Sequence, residues 1–524
     1  MNFVRFLAIS AALLGLWPTS GPQFTADVQG IVVDSGNGLP LEGAVVYLVP
    51  KPSQAFKPAS TDSEGRFVLT SAVPGRYRVA AFKNGFVWSR PDRIASPREP
   101  GLDVDLTRAR KIENIVLAME KESVVSGRLL ETNGRGLVGA SVRLLRYRYD
   151  EAGRRKLVDV PYLTEVGNET FRANGFARTD DRGEYRFPGV QPGEYYIRFW
   201  AGPEYTGLFY PGTADETLAK TISVKSGQEL RLGSLVLTRR TTAQARFRLT
   251  GVVGVPRFQT ATLFPSGESS GAMSRPNDST VTVPQMMIPV VPSGSHTVLL
   301  TWTSTDAFFF NRFDLDVGSS DIEKEIAMRP GIRLRARIML EDGSGLPPGL
   351  RCRLVSDNDQ PTLPADPHSV CTHEQFIPDH YQLEMEGMPA DAYVVSAKAG
   401  EKDVVTEGLD LFADTALQIV VRMDGGVIGG SVRNSEGRIS GAIVALIPEA
   451  PLRSAGVLYR SVISDFNGDF ELRGIRPGAY RLFAWADMEG AAYRNTEFMK
   501  DYEGQGIRVR VENQVRQTID VMAF

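Results

Sequence analysis

Two linked turn motifs recur at three distant places in this chain of 524 residues, with the same spacing each time. The first motif is Thr or Ser followed directly by Asp. A Gly lies three residues after the Asp, and an aromatic residue lies two residues after the Gly. The second motif is Pro-Gly followed, after one intervening residue, by Tyr. The three copies occupy residues 61–77, 179–195 and 464–480. Such a repeated spacing is typical of a chain built from copies of one structural unit.

The residues in and around these motifs predict short strands and tight turns. In the first motif, the Asp side chain accepts backbone N–H groups and the Gly adopts a positive φ. Before each copy, short apolar runs such as 28–33 and 125–130 are followed by turns that contain Gly, Asn or Asp, which is typical of β-hairpins. The 51 Gly and 32 Pro fit many such turns, and no sustained helical periodicity occurs. We therefore predict an all-β chain made of β-sandwiches.

The order of these motifs resembles the carboxypeptidase regulatory-like domain. Each copy has a Gly-containing strand, a turn ending in Gly-Ala, the Asp-x-x-Gly turn and Pro-Gly-x-Tyr, over residues 27–119, 121–238 and 426–524. The resemblance implies sandwiches of the transthyretin-like (prealbumin-like) and starch-binding-like type, with about seven strands each, as in Ig-like domains. It implies no carboxypeptidase activity, because the regulatory domain is a non-catalytic appendage.

Two intervening segments keep the length of a repeat and lose most of the motif. In one, Val291–His296 takes the place of Pro-Gly-x-Tyr, and in the other Met388–Tyr393 is a degraded version. We expect both to be degenerate sandwiches, giving a tandem array of about five Ig-like or prealbumin-like β-sandwich domains. The predicted divisions are a signal peptide at 1–22 and sandwiches at 23–119, 120–239, 240–330, 331–424 and 425–524.

The first residues predict export. Arg5 precedes an apolar run from Phe6 to Trp17, and small residues follow, as in a secretory signal peptide. A membrane anchor would need about 20 apolar residues, and we expect no transmembrane segment in the mature chain. The net charge of −3 without a clustered basic surface argues against a nucleic-acid partner. The expected location is secreted, periplasmic or otherwise in the cell envelope.

The two cysteines, Cys352 and Cys371, fit an exported chain. A disulfide between them would close a loop of about 20 residues, worth about 3 kcal/mol in the chain-entropy treatment. A metal site is the alternative, because His368, His373 and His380 lie near Cys371 in the sequence. Structural zinc sites usually have a close pair of ligands at each end, and Cys352 has no such neighbour. The sequence favours the disulfide and no bound metal.

The sequence contains no convincing catalytic motif. None of the four histidines begins a His-Glu-x-x-His metallopeptidase motif. A Gly-x-Ser-x-Gly match at Ser269 lies between Pro265 and Pro276, without the strand and helix that a nucleophile elbow requires. Residues 465–469 alternate oxygen ligands as calcium loops do, but a turn cap explains all three copies better. We predict a protein that is not an enzyme and has no cofactor.

Four aromatic residues are hypothesised to bind a ligand. Phe82, Trp200 and Trp485 each lie five residues after the motif tyrosine, on the opposite face of its strand. Tyr205 lies in an aromatic-rich segment after Trp200. Each ring either packs beneath the following loop or another domain, or forms a flat platform for a sugar or peptide.

These features predict an exported, non-catalytic binding or scaffold protein of the cell envelope, whose partner is a glycan or an envelope protein. Carbohydrate is the favoured ligand because of the starch-binding-like resemblance. One alternative is a structural spacer or adhesin that recognises protein partners. A more remote alternative is a hydrolase with an unrecognised site. The fold class alone does not decide among these functions.

Overall fold

The computed structural model describes residues 26–50, 58–73, 75–88, 102–106, 111–160, 162–166, 169–173, 175–265, 273–276, 284–305, 307–356, 372–435, 437–465 and 467–524. The predicted signal peptide, Ser269, His368 and Cys371 lie outside these residues, as does the side chain of His373. The described residues divide into two compact units, the first drawn from residues 26–117 and the second reaching to 524. Within the described part, no helix is long and apolar enough to cross a membrane.

Short strands account for the first two sandwiches. Sandwich 1 contains β1 (Ala26–Asp34), β2 (Val45–Pro50), β3 (Ala59–Ser60), β4 (Arg66–Ala72), β5 (Arg76–Phe82), β6 (Phe86–Trp88), β7 (Leu102–Asp105) and β8 (Lys111–Lys121). Sandwich 2 contains β9 (Ser123–Glu131), β10 (Ser141–Tyr149), β11 (Arg155–Asp159), β12 (Tyr162–Val166), β13 (Glu169–Ala173), β14 (Phe176–Arg178), β15 (Glu184–Val190), β16 (Gly193–Trp200), β17 (Leu208–Phe209), β18 (Ile222–Val224) and β19 (Glu229–Leu237). The main sheets are β4-β1-β8 and β3-β2-β5-β7 in sandwich 1, and β15-β9-β19 and β11-β10-β16-β17 in sandwich 2.

Three further sandwiches follow, with two short helices. Sandwich 3 contains β20 (Thr242–Thr250), β21 (Phe258–Pro265), β22 (Met273–Pro276), β23 (Gln285–Pro292), β24 (Gly294–Thr303), β25 (Phe308–Val317), β26 (Ile322–Ala327) and β27 (Arg329–Pro330). Sandwich 4 contains β28 (Ile332–Leu340), β29 (Arg351–Ser356), β30 (Thr372–Phe376), β31 (Asp379–Glu386), β32 (Tyr393–Ala399), β33 (Lys402–Asp403), α1 (Val404–Glu407), β34 (Leu409–Leu411) and β35 (Thr415–Arg422). Sandwich 5 contains β36 (Gly426–Asn434), β37 (Gly437–Arg438), β38 (Ile443–Pro448), β39 (Arg460–Ile463), β40 (Asp469–Ile475), β41 (Gly478–Trp485), α2 (Thr496–Met499), β42 (Ile507–Val511), β43 (Arg516–Thr518) and β44 (Val521–Met522). The predicted all-β chain of tandem sandwiches is confirmed.

In sandwiches 2 to 5, a strand near the end of the sandwich lies beside the first strand and runs parallel to it. β19 pairs with β9, β26 with β20, β35 with β28, and both β43 and β44 with β36. The first strands of sandwiches 2 and 5 carry the glycine of the repeat at this contact. A Cβ at Gly430 would lie only 1.9 Å from the carbonyl oxygen of Ile519, so the close backbone approach requires glycine there.

Each sandwich buries alternate residues of its strands in a core of its own. In sandwich 2, Val125 and Leu129 of β9 pack with Tyr195, Ile197 and Phe199 of β16, and none is more than 2% exposed. Burying each such side chain contributes about 1.5–3 kcal/mol. Since alternate residues of β16 point inward, the residues between them lie on the outer face of the sheet.

The first motif forms the same capped turn in all three copies, as predicted. Asp62 Oδ1 accepts the backbone N–H groups two and four residues later, at 3.0 and 2.8 Å. Asp180 and Asp465 accept the equivalent pairs. The hydroxyl of Thr61 joins the turn to the β1–β2 connection by accepting the N–H of Ala44 at 2.8 Å. The carboxylate of Asp465 is thus engaged by its own turn, which supports the turn cap over a calcium loop.

The second motif forms a tyrosine corner, in which a tyrosine hydroxyl donates to a carbonyl a few residues upstream. Tyr77, Tyr195 and Tyr480 each donate to the carbonyl oxygen four residues earlier, at 2.6, 2.7 and 2.8 Å. In sandwich 3, His296 has the equivalent position, and its Nε2 lies 2.7 Å from the carbonyl oxygen of Pro292. The replacement predicted in sandwich 3 therefore preserves the corner.

In sandwich 4, the corner lies at a different place from the one predicted. Tyr381, the third residue of β31, donates its hydroxyl to the carbonyl oxygen of Ile377 at 2.7 Å. Because β31 pairs with β29 as β41 pairs with β38, Tyr381 is the counterpart of Tyr480. The assignment of this role to Met388–Tyr393 is wrong, because Tyr393 begins β32, which pairs with β35.

Sandwiches 4 and 5 share a packed and hydrogen-bonded interface. Ala455 and Leu458 of sandwich 5 belong to the apolar cluster of sandwich 4. Arg460 donates to Gly474 through Nε and Nη2 at 3.1 and 2.8 Å, and to Ala392 of sandwich 4 at 3.4 Å. Two more carbonyls of sandwich 5 accept from its Nη1, both at 2.9 Å. Burial lowers the pKa of Arg460 from its ordinary value, and carbonyl oxygens satisfy all its donors.

The hairpin between β10 and β11 of sandwich 2 contacts both sandwich 4 and sandwich 5. At its tip, the carbonyl oxygen of Gly153 accepts from Asn495 Nδ2 at 2.9 Å. The next residue, Arg154, donates through Nη1 to the carbonyl oxygen of Ser356 at 3.0 Å. A ring contact and an ion pair accompany these bonds: Tyr149 with Phe498, and Glu151 with Arg353. The hairpin therefore joins three sandwiches of the second unit.

Candidate ligand-binding face

Trp485 has no open ring face, which corrects the hypothesis of an exposed platform there. Its side chain is 1% exposed. It stacks on Phe483 and contacts Tyr502 edge-on, each with ring centroids 5.5 Å apart, and Phe524 lies 6.0 Å away. The segment after β41 supplies Tyr502 and half of the other residues of this cluster. The alternative, that the ring packs beneath the following loop, holds for sandwich 5.

Tyr205 is also buried, at 4% exposure, and anchors the segment that leaves sandwich 2. Its hydroxyl donates to Glu131 Oε1 at 2.6 Å and accepts from Arg239 Nε at 2.9 Å. Its carbonyl oxygen accepts from Arg240 at 3.2 Å. Burial, together with the Glu131 carboxylate, raises the pKa of Tyr205 above its ordinary value. The ring therefore acts as a structural anchor and offers no platform.

Phe82 and Trp200 keep accessible ring surface. Phe82, the last residue of β5, is half-buried opposite Val45 of β2. Trp200, the last residue of β16, is 40% exposed. Gly207 lies beside its ring, since a Cβ there would lie 3.6 Å from Trp200 Cδ1 and 3.9 Å from Arg198 Nη2. Of the four hypothesised ligand-binding residues, Trp200 has the most open ring.

Trp200 lies on the outer face of a sheet in which β10 runs between β16 and β14. Residues directly opposite one another on neighbouring strands share a face. The register therefore brings six residues to one surface, which we call the Trp200 face: Ser141, Arg143, Phe176, Arg178, Arg198 and Trp200.

The six residues form two rows across the three strands. In the first row, Ser141 lies between Trp200 and Arg178, and in the second, Arg143 lies between Arg198 and Phe176. Neighbouring strands are about 4.8 Å apart and successive same-face residues about 6.8 Å apart. Trp200 and Phe176, at opposite corners, are therefore separated by about 12 Å. Phe176 is 38% exposed, so the face has an accessible ring at each end.

The polar side chains between these rings are mainly arginines. Arg178 is exposed and donates through Nη1 to the carbonyl oxygen of Gly139 at 3.0 Å. Arg143 is half-buried and pairs with Asp159 Oδ2 at 2.6 Å. Arg198 is buried, with its guanidinium 5.6 Å from a phenylalanine ring centroid of β17. Three guanidinium groups thus share this face with the carboxylate of Asp159.

A packed cluster closes one side of the Trp200 face. Tyr147 and Tyr196 meet edge-on with centroids 5.2 Å apart, and the guanidinium of Arg155 lies 3.8 Å from the Tyr147 centroid. The Tyr147 hydroxyl donates to Glu216 Oε1 at 3.0 Å. Burial, followed by this bond, raises the pKa of Tyr147 to about 12. This cluster therefore lies beside the Arg143–Arg198 row, on the same face of β10 and β16.

Sequence reasoning found Trp200 through the repeat and missed its neighbours Arg143, Phe176 and Arg178. Alternation along β10 could have placed Arg143 on the outer face, since Val142 and Leu144 are the inward residues. Phe176 and Arg178 lie in a strand of three residues, too short for a periodic pattern. Their proximity to Trp200 depends on pairing with β10, which the local sequence does not encode.

The predicted disulfide and its metal-site alternative involve residues only partly described. Cys352 is 5% exposed in β29, while Cys371 lies outside the described residues, so their pairing stays a prediction. His380 contacts Asp410 through Nδ1 at 2.6 Å. Among the described residues, no group of three or more His, Cys, Asp or Glu is arranged to hold a metal ion.

Residues 27–107 match the family model described as the carboxypeptidase regulatory-like domain. This range contains the first capped turn and the Tyr77 corner. Sandwich 1 is a carboxypeptidase regulatory-like domain. The corner and the capped turn of this domain recur in sandwiches 2 and 5, which supports their predicted kinship with it. No curated protein matches the chain by sequence.

Comparison with solved structures gives weak likenesses to several proteins, including pilins. The TIE protein of Bacillus anthracis is 12% identical with a TM-score of 0.17, and the match covers 58% of this chain and 51% of that protein, about half its length. GBS52, the minor pilin of Streptococcus agalactiae, is 15% identical over 41% of this chain and 96% of its own, with a TM-score of 0.22. BcpA, the major pilin subunit of Bacillus cereus, is 12% identical over 58% and 99%, with a TM-score of 0.15. At these TM-scores the likenesses support no conclusion about this chain.

Proposed function

We propose that this chain is an exported, non-catalytic binding and scaffold protein of the cell envelope, and that the Trp200 face binds a carbohydrate. The exposed ring of Trp200 is the observation that carries the proposal. A flat aromatic ring packs against the apolar C–H surface of a sugar, while adjacent polar groups bond to its hydroxyls. Ser141, Arg143 and Arg178 provide such groups beside two accessible rings.

Binding of the mature full-length protein to a glycan array, followed by titration calorimetry on the best glycan, tests this proposal. Trp200→Ala is expected to weaken binding about tenfold or more, because it removes the stacking ring. Phe258→Ala is the matched control, since this aromatic of sandwich 3 is 45% exposed and lies outside the Trp200 face. Absence of glycan binding, or binding equally strong in the Trp200 variant, would contradict the proposal.

A second candidate function is a structural spacer with a protein partner. The joining of sandwich 2 to sandwiches 4 and 5 through the Gly153 hairpin favours it, because a fixed spacer needs domains that do not move independently. Chemical cross-linking on cells, with mass spectrometry of the products, would detect such a partner. A stable protein partner together with no glycan affinity would favour this function over carbohydrate binding.

A further inference from the structure

The Trp200 face carries more positive than negative charge. Arg143, Arg178 and Arg198 place three guanidinium groups there, and Asp159, which pairs with Arg143, supplies a carboxylate at its edge. The chain as a whole has a net charge of −3, so the local excess is not a general property of the protein. A charge excess between two accessible rings is a basis for selecting among ligands.

The two more accessible arginines occupy the space between the rings. Arg143 is in the central strand, between Arg198 and Phe176, and Arg178 ends the row that Trp200 begins. Trp200 and Arg178 are therefore about 10 Å apart, two strand spacings. A guanidinium has five N–H donors, and among the described residues Arg178 engages Gly139 through Nη1 alone.

We propose that the ligand of the Trp200 face is an anionic saccharide, a short oligosaccharide containing uronate residues. This inference rests on the proposed carbohydrate binding and specifies its ligand class. Trp200 and Phe176 pack against sugar rings at the two ends, and Arg178 and Arg143 bind the carboxylates between them. A carboxylate accepts two parallel hydrogen bonds from one guanidinium, whereas a neutral sugar offers no such acceptor.

Two saccharides that share a sugar backbone, one with charged carboxylates and one with neutral methyl esters, test the inference. Oligogalacturonate and its fully methyl-esterified form have the same sugar backbone, and calorimetry with the full mature chain compares them at low salt. We expect the acid form to bind about tenfold more tightly and to lose this advantage as salt is raised, because screening weakens exposed charge pairs. The ester form is expected to be insensitive to salt.

Variants separate charge recognition from ring stacking. Arg178→Gln is expected to weaken binding of the acid form and leave the ester form unchanged. Arg231→Gln, which removes a charge that is 78% exposed on the opposite sheet, is the matched control and is expected to change neither. Trp200→Ala is expected to weaken both forms.

The outcomes distinguish this inference from the proposed carbohydrate binding on which it rests. Equal affinity for the acid and ester forms overturns the anionic ligand and leaves carbohydrate binding intact. If neither form binds but neutral saccharides on the glycan array do bind, the anionic ligand is again overturned and carbohydrate binding is retained. Binding to no saccharide at all overturns both.

Discussion

At the residue scale, each corner hydrogen bond depends on one polar atom at the far end of a ring. Tyr480 provides a hydroxyl and His296 an imidazole nitrogen, and both side chains are 2% exposed. Losing that atom leaves the carbonyl at the corner without its bond, which costs about 1–3 kcal/mol where the carbonyl is shielded from water. The position therefore tolerates a change of residue type only when the new side chain reaches the same carbonyl.

Tyr480→Phe is expected to destabilise sandwich 5 by about 1–2 kcal/mol, because it removes the hydroxyl that donates to Arg476 and leaves the ring in place. Hydrogen exchange of the amides of β38 and β41 measures the loss. Tyr502→Phe is the control, since no described residue bonds its hydroxyl. Equal protection of the Tyr480 variant and the unchanged protein would show that the corner bond contributes little.

Trp200 and Trp485 show what local sequence predicts about a residue and what it does not. Both end the tyrosine strand on its outer face, which follows from simple alternation. Yet one is 40% exposed and the other 1%. The difference comes from Tyr502 and its neighbours, which fold back from later in the chain. Exposure therefore depends on contacts that the repeat motif does not contain.

At the element scale, two glycines in hairpins of sandwich 2 form a matched pair. Gly134 and Gly153 have positive φ values of 82° and 79°. A Cβ at Gly134 would meet nothing within 4 Å, whereas one at Gly153 would lie 2.6 Å from Arg494 Cβ and 2.9 Å from the backbone nitrogen of Asn495. Of these two glycines, Gly153 alone combines a left-handed backbone with contact to another sandwich.

Gly134→Ala is expected to cost about 1–2 kcal/mol, the penalty for an L-residue at this φ. Gly153→Ala is expected to cost more, because it also forces the hairpin away from sandwich 5. Chemical denaturation gives the two free energies of unfolding, and hydrogen exchange in α2 reports the docking directly. Equal losses in the two variants, with α2 unaffected, would contradict the role of the hairpin in joining the sandwiches.

An ion pair across sandwiches 4 and 5 predicts a dependence on pH. Arg473 binds both oxygens of Asp391, at 2.9 and 2.8 Å, and this lowers the pKa of Asp391. A lowered folded-state pKa gives stability that is present above the unfolded value of about 3.9 and is lost as pH falls through the folded value. Because the pair is exposed, its contribution is at most about 1 kcal/mol.

Asp391→Asn is therefore expected to destabilise the protein by at most about 1 kcal/mol at pH 7, and by less near pH 2, because the contribution of the pair is lost as pH falls through the folded-state pKa of Asp391. Denaturant titrations of both proteins at the two pH values give the differences. Glu323→Gln, which affects an exposed pair with Arg246 within sandwich 3, is a control for general charge effects. An effect of the same size at both pH values would indicate that the ion pair is not its cause.

The turns could be predicted from sequence because their chemistry is local, while strand partners could not. Asp62 and Gly65 define a capped turn within five residues. The corner of sandwich 4 was misplaced because two short Pro-containing turns precede a tyrosine, before Tyr381 and before Tyr393. Only the pairing of β31 with β29 distinguishes them. Such pairing joins residues far apart in the chain, so the local sequence does not predict it.

At the scale of the whole molecule, the sequence predicts one covalent cross-link, the disulfide between Cys352 and Cys371. Peptide mapping by mass spectrometry without reduction is expected to recover Cys352 and Cys371 in one linked peptide. Reduction is expected to lower the stability of sandwich 4 by about 3 kcal/mol, because it opens a loop of about 20 residues and so raises the entropy of the unfolded chain. Alkylation of both cysteines in the native, unreduced protein would contradict the pairing.

The parallel pairing of the first strand with a strand near the end of the same sandwich has a mechanical consequence. In sandwiches 2 to 5, tension applied at the two ends of a sandwich pulls these neighbouring strands in opposite directions along their length. The hydrogen bonds between them run across the pull, so they are loaded together in shear and do not open one at a time. Each of sandwiches 2 to 5 is therefore expected to resist extension between its two ends, because several hydrogen bonds must break at once.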